Sequence, residues 1–223
     1  MGKILVTGAN GFIGRNLCEA LRLGQHDVLA HDLGPGGDPL DALCAVADFV
    51  FHLAGVNRPD KESDFADGNA GSTKQLLDCL HRHRNHCPVM LSSSIQTALD
   101  NPYGRSKRAA EALLFEHHRL TGADILVYRF PNVFGKWSRP DYNSAIATFC
   151  RNIALDLPVR IDDPETQLHL AYIDDVVDEL LRALDGRPMR QGSFCSVPVS
   201  YRIRLTEAVR LIESFKAGRA MLQ

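Results

Sequence analysis

No run of about 18 apolar residues occurs anywhere in this sequence, so no segment is long enough to cross a membrane as a helix. Excess positive charge is missing too. Lys and Arg number 25 against 27 Asp and Glu, a formal net charge of -2, which excludes a nucleic-acid reader that works by bulk electrostatics. There is no Cys-x-x-Cys pair: the cysteines at 18, 44, 79, 87, 150 and 195 follow no repeated spacing, as reduced thiols do and a disulfide framework does not. Internal repeats and low-complexity stretches are also lacking. The opening, Met1-Gly2-Lys3-Ile4-Leu5-Val6-Thr7-Gly8, is broken by glycine too soon for a secretory leader, so a cytoplasmic protein is expected.

What remains is an ordinary globular make-up: 223 residues, 45% hydrophobic and 23% charged. A chain of this length buries roughly 70% of its unfolded surface and needs neither disulfide nor metal to fold. His81, His83, His86 and Cys87 crowd together, but their spacing is not a common zinc pattern. Lying just before Pro88, they read as a solvated helix end, and no metal is expected.

Strand-like and helix-like segments alternate through the first 130 residues. Lys3–Thr7, Asp27–His31, Phe49–Leu53, Pro88–Leu91 and Ile125–Arg129 are short apolar runs. Between them, Phe12–Leu23, Leu40–Ala47, Ser72–His83 and Tyr103–Thr121 carry a helical period, and Gly34–Pro39 is turn chemistry. This alternation predicts an α/β fold: a doubly wound parallel sheet of Rossmann type, with right-handed crossovers and helices on both faces. Beyond Arg129 the rhythm loosens. Phe130–Asn143 reads as largely loop, and Ala145–Ala154, Ile173–Leu184 and Leu205–Lys216 as helices. The expected organisation is a dinucleotide-binding domain over 1–130 and a small substrate lobe over 131–223.

Thr7-Gly8-Ala9-Asn10-Gly11-Phe12-Ile13-Gly14 sits between the first strand and the first helix. A glycine-rich turn there brings backbone N–H groups and the positive helix end to a pyrophosphate, and Gly14 lets the helix press on the sheet. Strand, fingerprint and helix together at this place point to NAD(H) or NADP(H). Asp32 ends the second strand, where an acid can bond the adenosine ribose hydroxyls and repel a 2′-phosphate, or can simply open a turn. With no Lys or Arg soon after it, Asp32 leans toward NAD.

Tyr103 and Lys107 stand four apart at the start of a predicted helix and so share a face. An ammonium beside the phenol should draw its pKa down by roughly 1–3, toward the range useful for proton transfer. Ser92-Ser93-Ser94 follow an apolar strand, whose C-terminal end opens on the crevice of such a sheet. A hydroxyl there can steady the charge that grows on a carbonyl oxygen.

Together these residues resemble the extended short-chain dehydrogenase/reductases, the NAD-dependent epimerase/dehydratase family. The resemblance runs through the glycine turn, His52-Leu53-Ala54-Gly55, Asn69, the serines, Tyr103/Lys107, Arg129–Gly135 (RFPNVFG) and Tyr172–Val176 (YIDDV). It implies that Gly8, Asn10, Gly11, Phe12, Ile13, Gly14, Asp32, Leu53, Ala54, Gly55 and Asn69 hold the dinucleotide or support its site. Ser94 would polarise a sugar carbonyl, Tyr103 exchange the proton, and Lys107 hold the nicotinamide ribose. Asn132 would lie near the nicotinamide and substrate, and Lys136, Arg139, Asn143 and Ser144 would offer donors to a UDP diphosphate. Trp137 has a face for uracil, or packs the lobe. The helices Ser72–His83 and Tyr103–Thr121 would pair two copies through a four-helix bundle.

The segments SSSIQTALDNPYGRSK, FPNVFGKWSRPDYNSAIATFC and HLAGVNRP are similar to the reductase domain of a bacterial capsular-sugar enzyme. That resemblance implies reduction of the C4 ketone of a UDP-4-keto-6-deoxy-N-acetylhexosamine, with NADPH as the usual cofactor. It also implies a C-terminal cupin, which this sequence does not contain, so the lobe is expected to be incomplete. Two other functions stay open at this point: an NAD-retaining nucleotide-sugar 4-epimerase, and a dinucleotide-binding sensor or scaffold without catalysis. A 4,6-dehydratase is disfavoured, because Ser94-Ile95-Gln96-Thr97 supplies no acid pair.

Overall fold

The computed structural model describes residues 2–32, 39–59 and 61–220. The glycine-rich turn read over 34–38 lies outside them. Five parallel strands form the centre of the molecule, in the order β2-β1-β3-β4-β5: β1 (Lys3–Thr7), β2 (Asp27–His31), β3 (Phe49–His52), β4 (Val89–Ser94) and β5 (Ile125–Phe130).

Side chains alternate across a strand, so each apolar run serves two cores at once. Ile4, Val6, Phe49, Phe51, Met90, Leu126 and Tyr128 face α1 (Phe12–Leu23) and α7 (Ile173–Leu184). Leu5, Val50, Val89, Leu91, Ile125 and Val127 face α2 (Leu40–Val46), α4 (Ser72–Arg82) and α5 (Pro102–Thr121). Each such side chain, fully buried, contributes about 1.5–3 kcal/mol. This two-sided burial is why the strands read as continuous apolar runs rather than alternating ones.

The helix expected at Ser72 starts there as α4, but it is preceded by helical turns that the sequence reading did not include. A short α3 (Ser63–Phe65) and a π-helical turn (Ala66–Gly71) run straight into α4. The signal is weak there because Gly68, Gly71 and Asp67 are poor helix formers. The turn matters because it carries Asn69, buried against the site.

The chain after residue 130 is shared between two bodies. Helix α7 packs on α1 over the main sheet, and β9 (Phe194–Cys195) pairs with β5, with β8 (Arg190–Gln191) antiparallel beside it. The remainder forms the lobe: β6 (Asn132–Phe134), α6 (Ala145–Ala154), β7 (Gln167–Tyr172), β10 (Tyr201–Arg204) and α8 (Leu205–Ala220). Its sheet has the order β10-β7-β6, and a small core of Phe149, Ile153 and Val209 joins α6 to α8. Reading Phe130–Asn143 as largely loop is thus corrected at β6, three residues too few to show a period. They become a strand because β7 offers a parallel partner. Among the described residues no helix is long and apolar enough to cross a membrane.

One buried polar chain ties the elements behind the crevice. Thr7 Oγ1 lies 2.7 Å from His52 Nδ1, His52 Nε2 lies 3.0 Å from Thr73 Oγ1, and Thr73 Oγ1 donates to the Asn69 carbonyl at 2.9 Å. His52 is 2% exposed, and burial pushes its imidazole pKa down to about 3, with Lys107 adding to the shift. It is therefore neutral in the folded chain. Below the ordinary value of 6.5 the unfolded chain takes up the proton first, so folding stability falls as pH drops from 6.5 toward 3. At pH 5 this amounts to about 2 kcal/mol. Urea unfolding of the wild type and a His52→Asn variant between pH 7 and 4 should show a flatter acid slope in the variant. Equal slopes would contradict a neutral buried His52.

Candidate active site

The order β2-β1-β3 makes the strand sequence reverse between β1 and β3, and a crevice opens beyond their carboxyl ends. The turn Gly8–Gly11 and the first turn of α1 form its floor. Gly8 has φ +70°, and a Cβ on it would meet the Ala54 nitrogen at 2.7 Å. A Cβ on Gly14 would run into the Gly8 carbonyl. Both positions therefore need glycine, one for backbone conformation and one for close packing. Helix α1 starts at Gly11 with no side-chain cap and no acid in its first turn, so its N–H groups and dipole are free for an anion.

A cavity of about 500 Å³ lies above this floor. Gly8, Asn10, Gly11, Phe12, Ile13, Gly14, Leu53 and Gly55 line one side; Ser94, Tyr103, Lys107, Asn132, Arg139 and Asn143 line the others. A second cavity of about 240 Å³ adjoins it, lined by Asp32, Ala54 and side chains of β3 and α4. Asp32 also accepts a hydrogen bond from the Asn10 N–H at 2.6 Å, so it both braces the turn and faces the cavity. Among the described residues no Lys or Arg lines this second cavity. These surfaces fit a dinucleotide: a glycine cradle, an uncapped helix start and a carboxylate where ribose hydroxyls would lie.

The C-terminal end of β4 gathers the candidate side chains, each serine holding a different partner. The Ser92 carbonyl accepts from Lys107 Nζ at 3.0 Å. The Ser93 hydroxyl donates to Glu111 at 2.5 Å. The Ser94 hydroxyl accepts from the Gln96 N–H at 3.1 Å and sits beside the Tyr103 phenol. Opposite them, α5 begins at Asn101, whose side chain caps the Gly104 N–H at 2.7 Å, with Pro102 at its first position. That start places Tyr103, Lys107 and Glu111 at successive four-residue steps along one face. Arg108 fastens the turn Ile95–Ala98 and the adjoining Leu99 to α5 by bonds to the Thr97 and Leu99 carbonyls.

One expectation is corrected. Lys107 does not draw the phenol pKa down: its ammonium lies over the Tyr103 ring, 5.9 Å from the centroid, with Nζ committed to Ser92. Burial pushes the phenol up, and Ser94 works against that push. The large shift falls on the lysine. Burial lowers Lys107 to about 8, while Glu111 acts to hold it up. The site thus pairs a protonated phenol with an ammonium close to its own titration point.

Some expected residues stand elsewhere. Asn69 does not line either cavity, because its amide is spent within the wall. Its Oδ1 accepts from the Val56 N–H at 3.1 Å, and its Nδ2 donates to the Val56 carbonyl and to Ser106. Lys136 pairs with Asp174 at 2.9 Å and turns away from the cavity. Trp137 does line it, half exposed, with φ +68° and Arg15 5.4 Å from its ring centroid. His81 stacks on His117, and His83 pairs with Asp41; among the described residues no three His, Cys, Asp or Glu are grouped to hold a metal. Sequence reasoning missed Arg15, Gln96 and Glu111. Glu111 had a signal, since an acid four residues after Lys107 repeats the Tyr103–Lys107 step on a buried helix face.

With this geometry in view, the chain can be set beside known proteins. The family model described as "NAD dependent epimerase/dehydratase family" matches residues 4–192. The chain is 43% identical to UDP-2-acetamido-2,6-beta-L-arabino-hexul-4-ose reductase of Pseudomonas aeruginosa, over 99% of this chain and 59% of that protein. Among solved structures, the capsular polysaccharide assembling protein CapF from Staphylococcus aureus superposes with a TM-score of 0.86 and 40% identity. That match covers 97% of this chain and 59% of the other. MoeE5, solved in complex with UDP-glucose and NAD, gives a TM-score of 0.84 and 26% identity over 97% and 82%. The chain spans 59% of the length of the first two relatives. Fold, family match and identity agree, and the chain belongs to the NAD dependent epimerase/dehydratase family.

Proposed function

We propose that this chain carries a nucleotide-sugar oxidoreductase site, and that it reduces the C4 ketone of a UDP-4-keto-6-deoxy-N-acetylhexosamine. The observation that carries this reading is the convergence of Ser94, Tyr103 and Lys107 on one cavity with the glycine turn and α1. The 43% identity to a hexulose reductase supports the substrate class.

The glycine turn, the first turn of α1, Asp32 and Lys107 would hold the dinucleotide. When bound, a reduced nicotinamide supplies the hydride for the new C–H bond at C4. The chain's own residues do the rest. The Ser94 hydroxyl donates to the carbonyl oxygen and steadies its growing negative charge; losing one such donor typically costs about 2.7–4 kcal/mol of barrier. Tyr103, kept protonated by burial, gives its proton to that oxygen and completes the alcohol. The phenolate left on Tyr103 then accepts from the Ser94 hydroxyl, whose hydrogen bond favours the ionised form, until water returns the proton. Arg139 and Asn143 line the far side of the cavity, where a diphosphate needs donors.

For the cofactor, NAD(H) is the proposed form. Asp32 faces the second cavity and no cation lines it, so a 2′-phosphate there would meet a carboxylate without compensation. The structure of MoeE5 with NAD supports the same choice.

Absorbance at the reduced-nicotinamide band, followed with a UDP-4-keto sugar, tests the reaction. NADH should be consumed, and NADPH should give a kcat/KM lower by tenfold or more, about 1.4 kcal/mol. Tyr103→Phe should leave NADH binding unchanged while lowering kcat by roughly 10²–10⁴-fold. C4 inversion without net consumption, with NAD carried through purification, would replace this reading by a 4-epimerase. Preference for NADPH would overturn the cofactor assignment alone.

A further inference from the structure

Behind the three residues just assigned lies a buried carboxylate that the reaction does not consume. Glu111 is 4% exposed and sits on α5 one turn beyond Lys107. Arg129, near the end of β5, grips it with two bonds: Nε to Oε1 at 2.9 Å and Nη2 to Oε2 at 2.7 Å. Ser93 supplies a third at 2.5 Å. Arg129 is itself held over the Phe194 ring, 3.6 Å from its centroid. Two cations, Lys107 and Arg129, therefore flank one carboxylate, all three rooted near the C-terminal end of β5 or on the turns of α5 that face β4.

We infer that Glu111 is a positioning residue that keeps Lys107 charged, and that Arg129 sets how much of its negative charge the lysine feels. The inference rests on the oxidoreductase reading for its purpose, but its physics concerns the lysine alone. The groups around Lys107 on its own helix are Tyr103 and Glu111. From the other elements come the neutral His52 at the end of β3, the Ser92 carbonyl of β4, and Arg129 of β5 beyond the carboxylate. Glu111 is the one group among these that favours the ammonium through its charge, and burial works against it.

A purely structural pair and an electrostatic one predict different things when its halves are removed separately. Glu111→Gln leaves two cations facing each other across a neutral amide, so the Lys107 pKa should fall from about 8 by about one or more. Arg129→Gln frees the carboxylate to act on the lysine alone, so the pKa should rise. If the pair only braces the fold, both variants weaken stability and neither moves the titration.

The experiment reads Lys107 without any substrate. Urea unfolding is measured from about pH 6 to about pH 10.5 for the wild type, Glu111→Gln and Arg129→Gln, each beside the same chain carrying Lys107→Met. A lysine whose folded pKa lies below its unfolded value makes the fold more stable as pH rises between the two. The difference within each pair should therefore climb from about pH 8 in the wild type, from a lower pH in Glu111→Gln, and from a higher one in Arg129→Gln. Opposed shifts establish the inference, and either variant suffices should the other fail to fold. Unmoved onsets, or shifts in one direction, overturn it and leave the oxidoreductase reading standing; absent NADH turnover would remove that reading and leave the lysine titration intact.

Discussion

An ammonium that water barely reaches has to be held by the protein itself, and the arrangement around Lys107 follows from that need. Taking such a charge out of water costs several kcal/mol unless oxygen atoms and a counter-charge replace the lost hydration. The Ser92 carbonyl supplies one oxygen, and Glu111 supplies the opposite charge. Both depend on where elements end. β4 must run on to Ser94, past its last pairing with β3 at Leu91, so that its final residues reach α5, and α5 must begin at Asn101-Pro102 so that every fourth residue faces them. Had α5 started one residue later, Tyr103 and Lys107 would have left the cavity together.

The two sides of that cavity are made of different material. The dinucleotide side is backbone: a left-handed glycine, a second glycine pressed against it, and the free N–H groups of α1. Its supports are buried neutral groups, Thr7, His52, Thr73 and Asn69, which fix β1, β3 and the π-helical turn without placing charge beside the lysine. The opposite side is side chains on the loop after β6, where Trp137 and Asp141 hold left-handed conformations costly for non-glycine residues. Lys136–Asp174 and the bond from Asn16 to the Lys136 carbonyl pin that loop to α7 and α1.

The parallel sheet was legible because a strand buried on both faces is apolar along its middle, as β1, β3, β4 and β5 are, while β2 at the edge is only partly buried. Phe12–Leu23, Ala145–Ala154 and Ile173–Leu184 emerge with the bounds their periodicity predicts. The lobe was harder to read. β6, β8 and β9 are two or three residues long, and β7 and β10 are strands because β7 meets β10 on one side and β6 on the other. Likewise the expected boundary at residue 130 follows the change of rhythm in the sequence, whereas α7 and β9 cross back to the first sheet for reasons of packing. At the site, spacing revealed that Tyr103 and Lys107 share a face but not which atoms meet. The ring face, not the hydroxyl, lies toward the ammonium, because the lysine is drawn to a carbonyl whose position only the folded strand defines.

The Asp32 end of the crevice is sparsely walled for a topological reason. Between Asp32 and Phe49 the described chain forms α2 alone, so β2 is the outermost strand of the sheet among the described residues. No further strand among them stands beyond Asp32 to bring in side chains, and the second cavity is walled by β3, the π-helical turn and α4 instead. Those elements and the loop after β3 present Ala54, Val56, Gly68, Ser72 and Gln75, all uncharged, which leaves Asp32 as the carboxylate of that lining among the described residues. The Asp32 carboxylate is already committed at one oxygen to the Asn10 N–H. A cation introduced beside Asp32 would compete for that oxygen and loosen the glycine turn, so the charge at this end of the crevice and the shape of the turn are coupled through one residue.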